Sequence, residues 1–284
     1  MPELPEVESV RRQLAPRLQG RRISAVSAQP QLRFRALERA AGRRVLGLRR
    51  RGKYLLGELD GGLELVAHLG MTGSFRFRGE ADGWQPDAYV RATFTLDGSS
   101  AASNSAVEAR NLGASVLDFR DVRRFGTLAV VPAGDYRGLV TLAALGPEPL
   151  SDDFDPVRFH AALGRSRMAV KPWLLTQRPV AGVGNIYADE ALWRARINPH
   201  ARRVGRERSL ALWTAIREVL SEAIQREGTT FRDYRMVNGE SGRNADFLVA
   251  YGQAGRACRR CGTNLRKVVL GGRGTTYCPW CQRR

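Results

Sequence analysis

The sequence contains no apolar run of the length that a membrane-spanning helix needs, and charged residues occur throughout its first 20 positions. The lack of a long apolar run argues against a membrane protein, and the charged N-terminal residues argue against a secretory signal peptide. We therefore expect a soluble, cytoplasmic protein. Cysteine is scarce as well, because all four cysteines lie within the last 27 residues, which leaves no thiol for catalysis elsewhere in the chain.

Acidic residues are the other shortage. Lys and Arg number 46 against 28 Asp and Glu, and the net charge is +18. Residues 256–284 include eight basic side chains and no acidic one, and residues 43–53 include six basic side chains and none acidic. Clusters of this kind suit contact with a phosphate backbone, so a polyanionic partner is predicted. The alternative is a generally arginine-rich composition, which implies no ligand.

The residues that are present predict one helix followed by short strands. Apolar residues at three- and four-residue steps predict a helix that begins near Pro2 and ends by about Leu18. Short apolar or alternating runs then predict strands at 45–48, 54–56, 63–67, 75–77, 90–96 and 128–131. The fold class is therefore α+β, with the strands forming a sandwich or a flattened barrel.

The second half of the chain is predicted to be helical. An apolar stripe over residues 209–227 predicts a long helix that Gly228 closes in the C-cap position. Residues 98–115 are rich in Gly, Ser, Ala and Asn and are predicted to form a mobile surface loop. The run LGPEPL at 145–150 is predicted to be a domain linker.

The cysteines form two C-x2-C pairs, Cys258 with Cys261 and Cys278 with Cys281, separated by sixteen residues. Each pair can place two thiolates on one turn, so together they predict a closed four-ligand site for one structural zinc ion. Disulfide bonds are the alternative, which a cytosolic location disfavours. Residues 267–277 predict a β-hairpin whose turn carries Arg273, and an arginine on a basic ribbon favours a phosphate contact.

The run VGNIY at 183–187 precedes a predicted helix and suggests an anion site. Glycines permit a tight turn, amides at a helix N-terminus bind phosphate, and Asn185 adds a side-chain donor. Lys171 can add positive charge nearby. The alternative is an ordinary helix packing unit in which Gly184 only permits close approach.

The first eight residues, MPELPEVE, place prolines and glutamates where a helix starts well, which is one sufficient explanation. They also permit chemistry. If Met1 is removed, Pro2 becomes a secondary amine, and its attack on a sugar C1′ gives an iminium ion that serves as an electron sink. Glu3 can then act as general acid or base, and Glu6 can position the amine or relay a proton.

Several motifs, in this order along the chain, resemble formamidopyrimidine-DNA glycosylases, whose wider family includes endonuclease VIII. They are MPELPEVE at the start, RGKYLL at 51–56, HLGM at 68–71, RRFG at 123–126, LGPEPLSDDF at 145–154, GVGNIY at 182–187 and the four-cysteine ribbon. The resemblance covers essentially the whole chain except residues 98–115.

The resemblance implies an N-terminal catalytic β-sandwich, a helix–two-turn–helix domain and a zinc ribbon, with DNA in the cleft between the two halves. We accordingly expect domains at 1–135, 151–240 and 241–284, with a linker at 136–150. The implied activity is that of a bifunctional glycosylase and abasic-site lyase, which excises oxidised purines and cuts the strand by β,δ-elimination. The expected partner is double-stranded DNA with oxidised bases or abasic sites, bound by a monomer at the nucleoid.

The resemblance also implies catalytic roles for residues at matching positions. Pro2 would be the Schiff-base nucleophile and Glu3 the proton donor in base removal. Lys53 would be the proton donor in β-elimination, and Arg273 the corresponding residue for δ-elimination.

The implied DNA contacts form a second group. Met71, Arg123 and Phe125, called the wedge residues below, would fill the stack that an extruded base leaves. Lys171, Asn185 and Tyr251 would contact DNA elsewhere. Residues 228–242 would form the loop that closes over the extruded base.

The chain departs from the family pattern at Val122, which precedes Arg123 where the family commonly has Asp-Pro-Arg, so this turn is expected to be less rigid. Two other interpretations stay open. One is the sister activity on oxidised pyrimidines, whose members typically open with Glu-Gly-Pro instead of Glu-Leu-Pro. The other is a non-enzymatic DNA-binding zinc protein. Leu4 and the wedge residues favour the purine enzyme.

Overall fold

The computed structural model describes residues 1–78, 87–98, 115–229, 237 and 242–283. The chain divides into two compact units. The first comprises Met1–Pro2, Glu6–Leu142 and Thr229–Gly242, and the second comprises Glu3–Pro5, Ala143–Gly228 and Arg243–Arg284. The domain bounds expected from the sequence stay a prediction. The predicted loops at 98–115 and 228–242 lie mostly outside the described residues.

The first unit combines helix α1 (Leu4–Leu18), from Glu6 onward, with two sheets. One sheet has the order β1 (Ile23–Ala28), β7 (Val90–Leu96), β8 (Ser115–Arg120) and β6 (Ser74–Arg78), with every neighbouring pair antiparallel. The other has the order β2 (Phe34–Arg35), β9 (Thr127–Pro132), β5 (Leu63–His68), β4 (Tyr54–Leu59) and β3 (Val45–Arg51). Only the β2–β9 pair is parallel among these strands. A 3₁₀ turn, Leu37–Ala40, follows β2.

Both sheets and α1 bury their apolar faces in one core. Val7, Val10 and Leu14 of α1 are at most 1% exposed, as their three- and four-residue spacing requires. Phe94 of β7 and Phe119 of β8 lie in the same cluster. Full burial of such a side chain contributes about 1.5–3 kcal/mol. The α+β sandwich expected from the sequence is confirmed.

The second unit contains helices and a hairpin. A short helix α2, Val140–Ala143, bridges the boundary between the units' ranges, and α3 (Pro156–Arg165), α4 (Val170–Leu175), α5 (Asn185–Arg194) and α6 (Arg206–Gln225) follow. Asp155 caps α3 by accepting from the Arg158 amide at 2.7 Å. A 3₁₀ turn, Asn244–Phe247, precedes the hairpin of β10 (Arg266–Leu270) and β11 (Arg273–Tyr277). Within the described ranges, every helix is too short or too polar to cross a membrane.

Three strands, β1, β2 and β8, were not predicted from the sequence. Strand β1 buries only Ile23 fully, so it lacks the alternation that marks a strand. Strand β2 has two residues. Strand β8 begins at Ser115, which the sequence analysis had assigned to the loop, and it buries the charged Asp118.

Two turn assignments need correction. Two consecutive left-handed residues end α6, Glu227 with φ +61° and Gly228 with φ +81°, so the C′ position is Glu227, one residue before the Gly228 that the sequence predicted as the cap. The Gly228 amide donates to the Ala223 carbonyl at 2.8 Å and the Glu227 amide to Ile224 at 3.1 Å, the pattern of a Schellman motif. In the hairpin, Gly271 and Gly272 form the turn, whereas Arg273 begins β11.

Candidate functional site

Glu3 lies at the N-terminus of α5. Its side chain is 2% exposed, and its carboxylate accepts hydrogen bonds from the amides of Gly184 (2.8 Å), Ile186 (2.8 Å) and Tyr187 (3.3 Å). The N-cap residue of α5 is Gly184, which has no side chain to accept hydrogen bonds from these amides. Glu3 therefore supplies the acceptors that first-turn amides and the positive end of a helix require.

Gly182 explains why the chain segment after Glu3 can approach α5 so closely. The Leu4 amide donates to the Gly182 carbonyl at 3.2 Å. Gly182 has φ +82°, and a Cβ built on it would lie 2.5 Å from Leu4 Cδ1. Any larger residue would push Leu4, and Glu3 with it, away from the helix.

The predicted phosphate site at this helix N-terminus was wrong for these three amides, because the Glu3 carboxylate already occupies them. Asn185, the first residue of α5, turns its side chain elsewhere and donates from Nδ2 to the Gly274 carbonyl at 3.1 Å. Phosphate binding by Asn185 stays a prediction.

Pro2 and Glu6 belong to the first unit, and both are buried. Met1, which precedes Pro2, is 47% exposed. Glu6 is 1% exposed and accepts a hydrogen bond from the Thr229 amide at 2.7 Å. Glu6 thus binds the backbone of Thr229, the first residue of the segment Thr229–Gly242 that belongs to the first unit.

Lys53 follows Gly52 in the turn between β3 and β4 and is 3% exposed. Burial, and then the charges of Lys53 and Arg33, lower the pKa of His68 from 6.5 to about 4. The His68 ring is therefore neutral at pH 7, and its Nδ1 accepts from the Gly70 amide at 3.1 Å. The basic run at residues 43–53 thus ends in a buried lysine whose charge lowers the pKa of His68 on β5.

The wedge residues lie on two turns of the first unit. Met71 follows β5, whereas Arg123 and Phe125 lie between β8 and β9. Phe125 is 40% exposed, a high value for an aromatic side chain, and the Arg123 guanidinium lies 4.9 Å from its ring centroid. Arg33 donates to the Phe125 carbonyl at 3.3 Å.

Lys171 and Asp189 form a buried ion pair in the second unit. Their side chains are 0% and 1% exposed, and Nζ lies 2.6 Å from Oδ1. Lys171 also donates to the Gly274 carbonyl at 3.1 Å and to Thr275 Oγ1 at 2.9 Å. Burial raises the pKa of Asp189 to about 6, opposed by the neighbouring Lys171 charge, and burial lowers the pKa of Lys171.

Lys171 is thus held inside the protein by two hydrogen bonds and an ion pair, and its contact with DNA stays a prediction. Asp189 also accepts from the Thr276 amide at 2.9 Å. The pair therefore fastens strand β11, which begins with the exposed Arg273, to α4 and α5.

Glu190, the next residue on α5, holds a second segment. Its buried carboxylate accepts from the amides of Val249, Ala250 and Tyr251, the last at 2.8 Å. Burial raises the pKa of Glu190, and these amides oppose the shift. Tyr251 is half-buried, and burial, with the Glu3 charge next, raises its pKa, whereas the Asn185 side chain opposes the shift. The contact of Tyr251 with DNA stays a prediction.

The four cysteine sulfurs lie within 4.8 Å of one another. Four ligands at about 2.3 Å around one tetrahedral zinc ion lie about 3.8 Å apart, so the residues fit one zinc ion. Cys258, Cys261, Cys278 and Cys281 would hold it. Four thiolates leave no open position, so the ion supplies structural stabilisation and no reaction step.

The ribbon is fixed to the helical part of the second unit by polar contacts beside the cysteines. Trp193 Nε1 of α5 donates to Cys258 Sγ at 3.3 Å. Gln282 is 0% exposed, accepts from the Cys278 amide at 2.7 Å and donates to the Ile197 carbonyl at 2.8 Å.

Comparison with known proteins finds one family whose domains match most of the chain. Residues 1–128 match the formamidopyrimidine-DNA glycosylase N-terminal domain, residues 145–235 its H2TH domain, and residues 255–284 the zinc finger found in FPG and IleRS. The chain belongs to the formamidopyrimidine-DNA glycosylase family. It is therefore a DNA-repair enzyme with a structural zinc finger.

Individual relatives resemble the chain over nearly its full length. The formamidopyrimidine-DNA glycosylase of Deinococcus radiodurans is 44% identical, over 99% of this chain and 97% of its own. The crystal structure of MutM (Fpg) from Thermus thermophilus has a TM-score of 0.88 at 44% identity and covers 99% of this chain and 98% of its own. A mutant Fpg of Lactococcus lactis, in complex with DNA containing Fapy-dG, has a TM-score of 0.87 at 33% identity with full coverage of both chains.

The sequence analysis missed three buried acids, namely Asp121 in the first unit and Asp189 and Glu190 in the second. Asp189 and Glu190 carried a signal, because they interrupt an otherwise apolar helix that buries seven of its ten residues. Charged residues are almost never fully buried unless paired, so partners could have been sought. Asp121 carried no comparable signal.

Proposed function

We propose that this chain removes oxidised purines, such as 8-oxoguanine and formamidopyrimidines, from double-stranded DNA and then cuts the strand at the abasic site. The observation that carries the proposal is the Pro2–Glu3 opening in a chain that matches the family along its length. The Lactococcus lactis relative in complex with Fapy-dG DNA supports the substrate class. The protein acts as a monomer, in the cytoplasm at the nucleoid.

Base removal begins at Pro2 once Met1 has been cleaved. The amine lone pair forms the N–C1′ bond while the glycosidic bond breaks and its electrons leave with the base. The amine nitrogen gives up its proton, and the departing base takes up a proton from water. Opening of the C1′–O4′ bond then gives the iminium ion, and O4′ takes up a proton. Glu3, next in the chain, is the group that transfers this proton. Glu6, buried near the start of α1, positions the amine.

Strand cleavage uses the iminium ion as an electron sink. Loss of a proton from C2′ expels the 3′-phosphate, and loss of a proton from C4′ then expels the 5′-phosphate. Lys53 is the proton donor in the first elimination and Arg273 the corresponding group in the second. Water finally hydrolyses the link to Pro2 and frees the amine.

DNA is bound through phosphate contacts and through the wedge residues. The net charge of +18 favours the backbone, and Asn185, Tyr251 and Arg273 add specific contacts. Phe125 is exposed enough to enter a base stack, and Arg123 can pair with the base left behind.

Borohydride trapping tests the chemistry. The reagent reduces an iminium ion to a stable amine, so the native chain and duplex DNA with 8-oxoguanine should give a covalent adduct. Proteolysis and mass spectrometry should locate the DNA on Pro2. The matched control keeps one uncleaved residue before Pro2, which makes its nitrogen an amide, and should give no adduct. An adduct on a lysine, or a mature chain that retains Met1, would overturn the mechanism.

Substrate preference tests the purine assignment separately. Single-turnover excision of 8-oxoguanine opposite cytosine is expected to be faster than excision of thymine glycol. The reverse order would assign the chain to the sister activity on oxidised pyrimidines, while leaving the Pro2 chemistry in place.

A further inference from the structure

The two turns that carry the wedge residues are joined by a pair of buried side chains, Thr72 and Asp121. Thr72 is 7% exposed and Asp121 is 1% exposed. The Thr72 hydroxyl donates to Asp121 Oδ1 at 2.5 Å. Thr72 directly follows Met71, and Asp121 lies two residues before Arg123, so this hydrogen bond connects the turn after β5 with the turn between β8 and β9.

The same two side chains bind the backbone beside the other wedge residues. The Arg123 amide donates to Thr72 Oγ1 at 3.0 Å. The amide of Gly126, which follows Phe125, donates to Asp121 Oδ2 at 2.7 Å. All three wedge residues therefore lie within one residue of an atom that the Thr72–Asp121 pair holds.

Close backbone packing makes the distance between the turns hard to change. Gly70 has φ +61°, and a Cβ built on it would lie 2.5 Å from the Phe125 carbonyl carbon. A Cβ on Gly126 would lie 2.6 Å from the Phe119 ring. The Asp121 carbonyl is itself held by Arg91 Nε at 2.8 Å.

The turn between β8 and β9 has no proline to restrict it. Val122 stands between Asp121 and Arg123 and is 41% exposed, and Arg124 adopts φ +57°, a conformation that few non-glycine residues occupy. A turn of this kind needs side-chain hydrogen bonds to select one conformation. Asp121 and Thr72 provide them: Asp121 Oδ2 accepts from the Gly126 amide on the far side of this turn, whereas its Oδ1 accepts from Thr72, whose hydroxyl oxygen accepts from the Arg123 amide.

We propose that Thr72 and Asp121 are positioning residues that set the wedge residues in one arrangement before DNA binds. The inference rests on the proposed function, because it assumes that Met71, Arg123 and Phe125 replace an extruded base. Base excision from a duplex then depends on the Thr72 hydroxyl, whereas strand cleavage at an abasic site in single-stranded DNA does not.

The test compares Thr72→Val, which keeps the shape and removes the hydroxyl, with Thr72→Ser, which keeps the hydroxyl. Thr72→Val should slow single-turnover excision of 8-oxoguanine from duplex DNA about tenfold, which corresponds to about 1.4 kcal/mol in the activation free energy. Thr72→Ser should restore the rate. Cleavage of single-stranded DNA at a preformed abasic site should not change with either substitution, because there is no stack to fill and no base to expel.

Thr93→Val is the matched control. Thr93 lies on β7, and its hydroxyl donates at 2.8 Å to Asp118, which is 4% exposed. The control removes the same kind of hydrogen bond in the same unit, so its melting temperature should fall by a similar amount. Its excision rate should equal that of the native chain at a temperature where all variants are folded.

Each outcome decides between alternatives. Equal slowing of duplex excision and single-strand cleavage by Thr72→Val would assign the pair a general structural role and overturn the proposal, as would an unchanged excision rate. Fluorescence of 2-aminopurine beside the lesion gives a second measurement, since Thr72→Val should weaken its rise when the wedge enters the stack. If the native chain cleaves neither substrate, the proposed function fails instead.

Discussion

Protonation of His68 should lower the free energy of unfolding of the first unit. The pKa of this histidine is lowered to about 4 by burial and then by the charges of Lys53 and Arg33, and its ring lies 4.7 Å from that of Tyr54. In the unfolded chain the imidazole takes up a proton near pH 6.5, but in the folded chain it does so only near pH 4.

Stability should therefore be fully present above pH 6.5 and should decrease as the pH falls toward 4, by roughly 2–3 kcal/mol from this group. Urea denaturation at several pH values between 4 and 7 measures the effect. His68→Asn can still accept from the Gly70 amide but does not titrate, so the variant should lose that part of the pH dependence. Parallel stability curves for both proteins would contradict the assignment.

Single residues differ in how far the sequence could predict them. The cysteines were predictable because metal ligands repeat at a spacing that local geometry fixes. The burial of Lys171 was not predictable. Its partner Asp189 lies on another helix and comes close to Lys171 only when α4 and α5 pack. Glu3 was assigned to chemistry, and its contacts with α5 were missed because they require a partner about 180 residues later.

At the level of whole elements, the end of α6 stores strain that a substitution can release. Glu227 occupies the left-handed position of the Schellman motif with φ +61°, where glycine has no steric penalty. Glu227→Gly should raise the free energy of unfolding by about 0.5–1 kcal/mol. Chemical denaturation measures this change.

Glu227→Gln separates the conformational effect from the charge. Glu227 lies 3.6 Å from Arg243 in an exposed ion pair, and such pairs contribute about 0–1 kcal/mol. The glutamine variant keeps the unfavourable φ and should be no more stable than the native chain. If glutamine stabilises as much as glycine does, the backbone explanation is wrong.

The β10–β11 hairpin is a second element whose stability can be tested, through its metal. Structural zinc in small ribbons contributes apparent binding free energies of about 10–16 kcal/mol at pH 7. A denatured sample should release one zinc ion per chain. Chelation in the native state should increase hydrogen exchange at the amides of Thr276 and Cys278, which are bonded to Asp189 and Gln282.

The N-terminal sheets provide the comparison within the same molecule. The amides of Phe94 and Phe119 lie in a core that contains no metal ligand, so their exchange should stay slow after chelation. Cys261→Ser should reproduce the effect of the chelator without added reagent. Equal loss of protection in both regions would show that the zinc site stabilises more than the ribbon.

Elements were predictable where their burial pattern matched a simple period. Strand β7 alternates and was predicted with its true bounds, whereas β1 shows two exposed residues after each inward one and gave no signal. The ion pair between half-buried Arg78 on β6 and buried Asp118 on β8 stands where the sequence suggests solvent exposure. Charged side chains inside a sheet weaken the hydrophobic pattern on which such predictions rest.

For the whole molecule, charge is the property that the sequence predicts most directly, because it needs no fold. A net charge of +18 implies that DNA binding releases counterions, and the logarithm of the affinity should fall linearly with that of the salt concentration. With six or more phosphate contacts, the affinity should drop at least roughly 10³-fold between 50 and 200 mM salt.

Arg273 and Arg137 test whether this dependence comes from specific contacts or from total charge. Both arginines are exposed, but Arg137 is paired with Asp135 at 2.7 Å and has no proposed contact with DNA. Arg273→Gln should reduce the slope of the salt dependence by about one unit, whereas Arg137→Gln should leave it unchanged, although both lower the net charge equally. Fluorescence anisotropy with a duplex that contains an abasic-site analogue measures both slopes. Equal slopes for the two variants would mean that the overall charge, and not a contact at β11, holds the DNA.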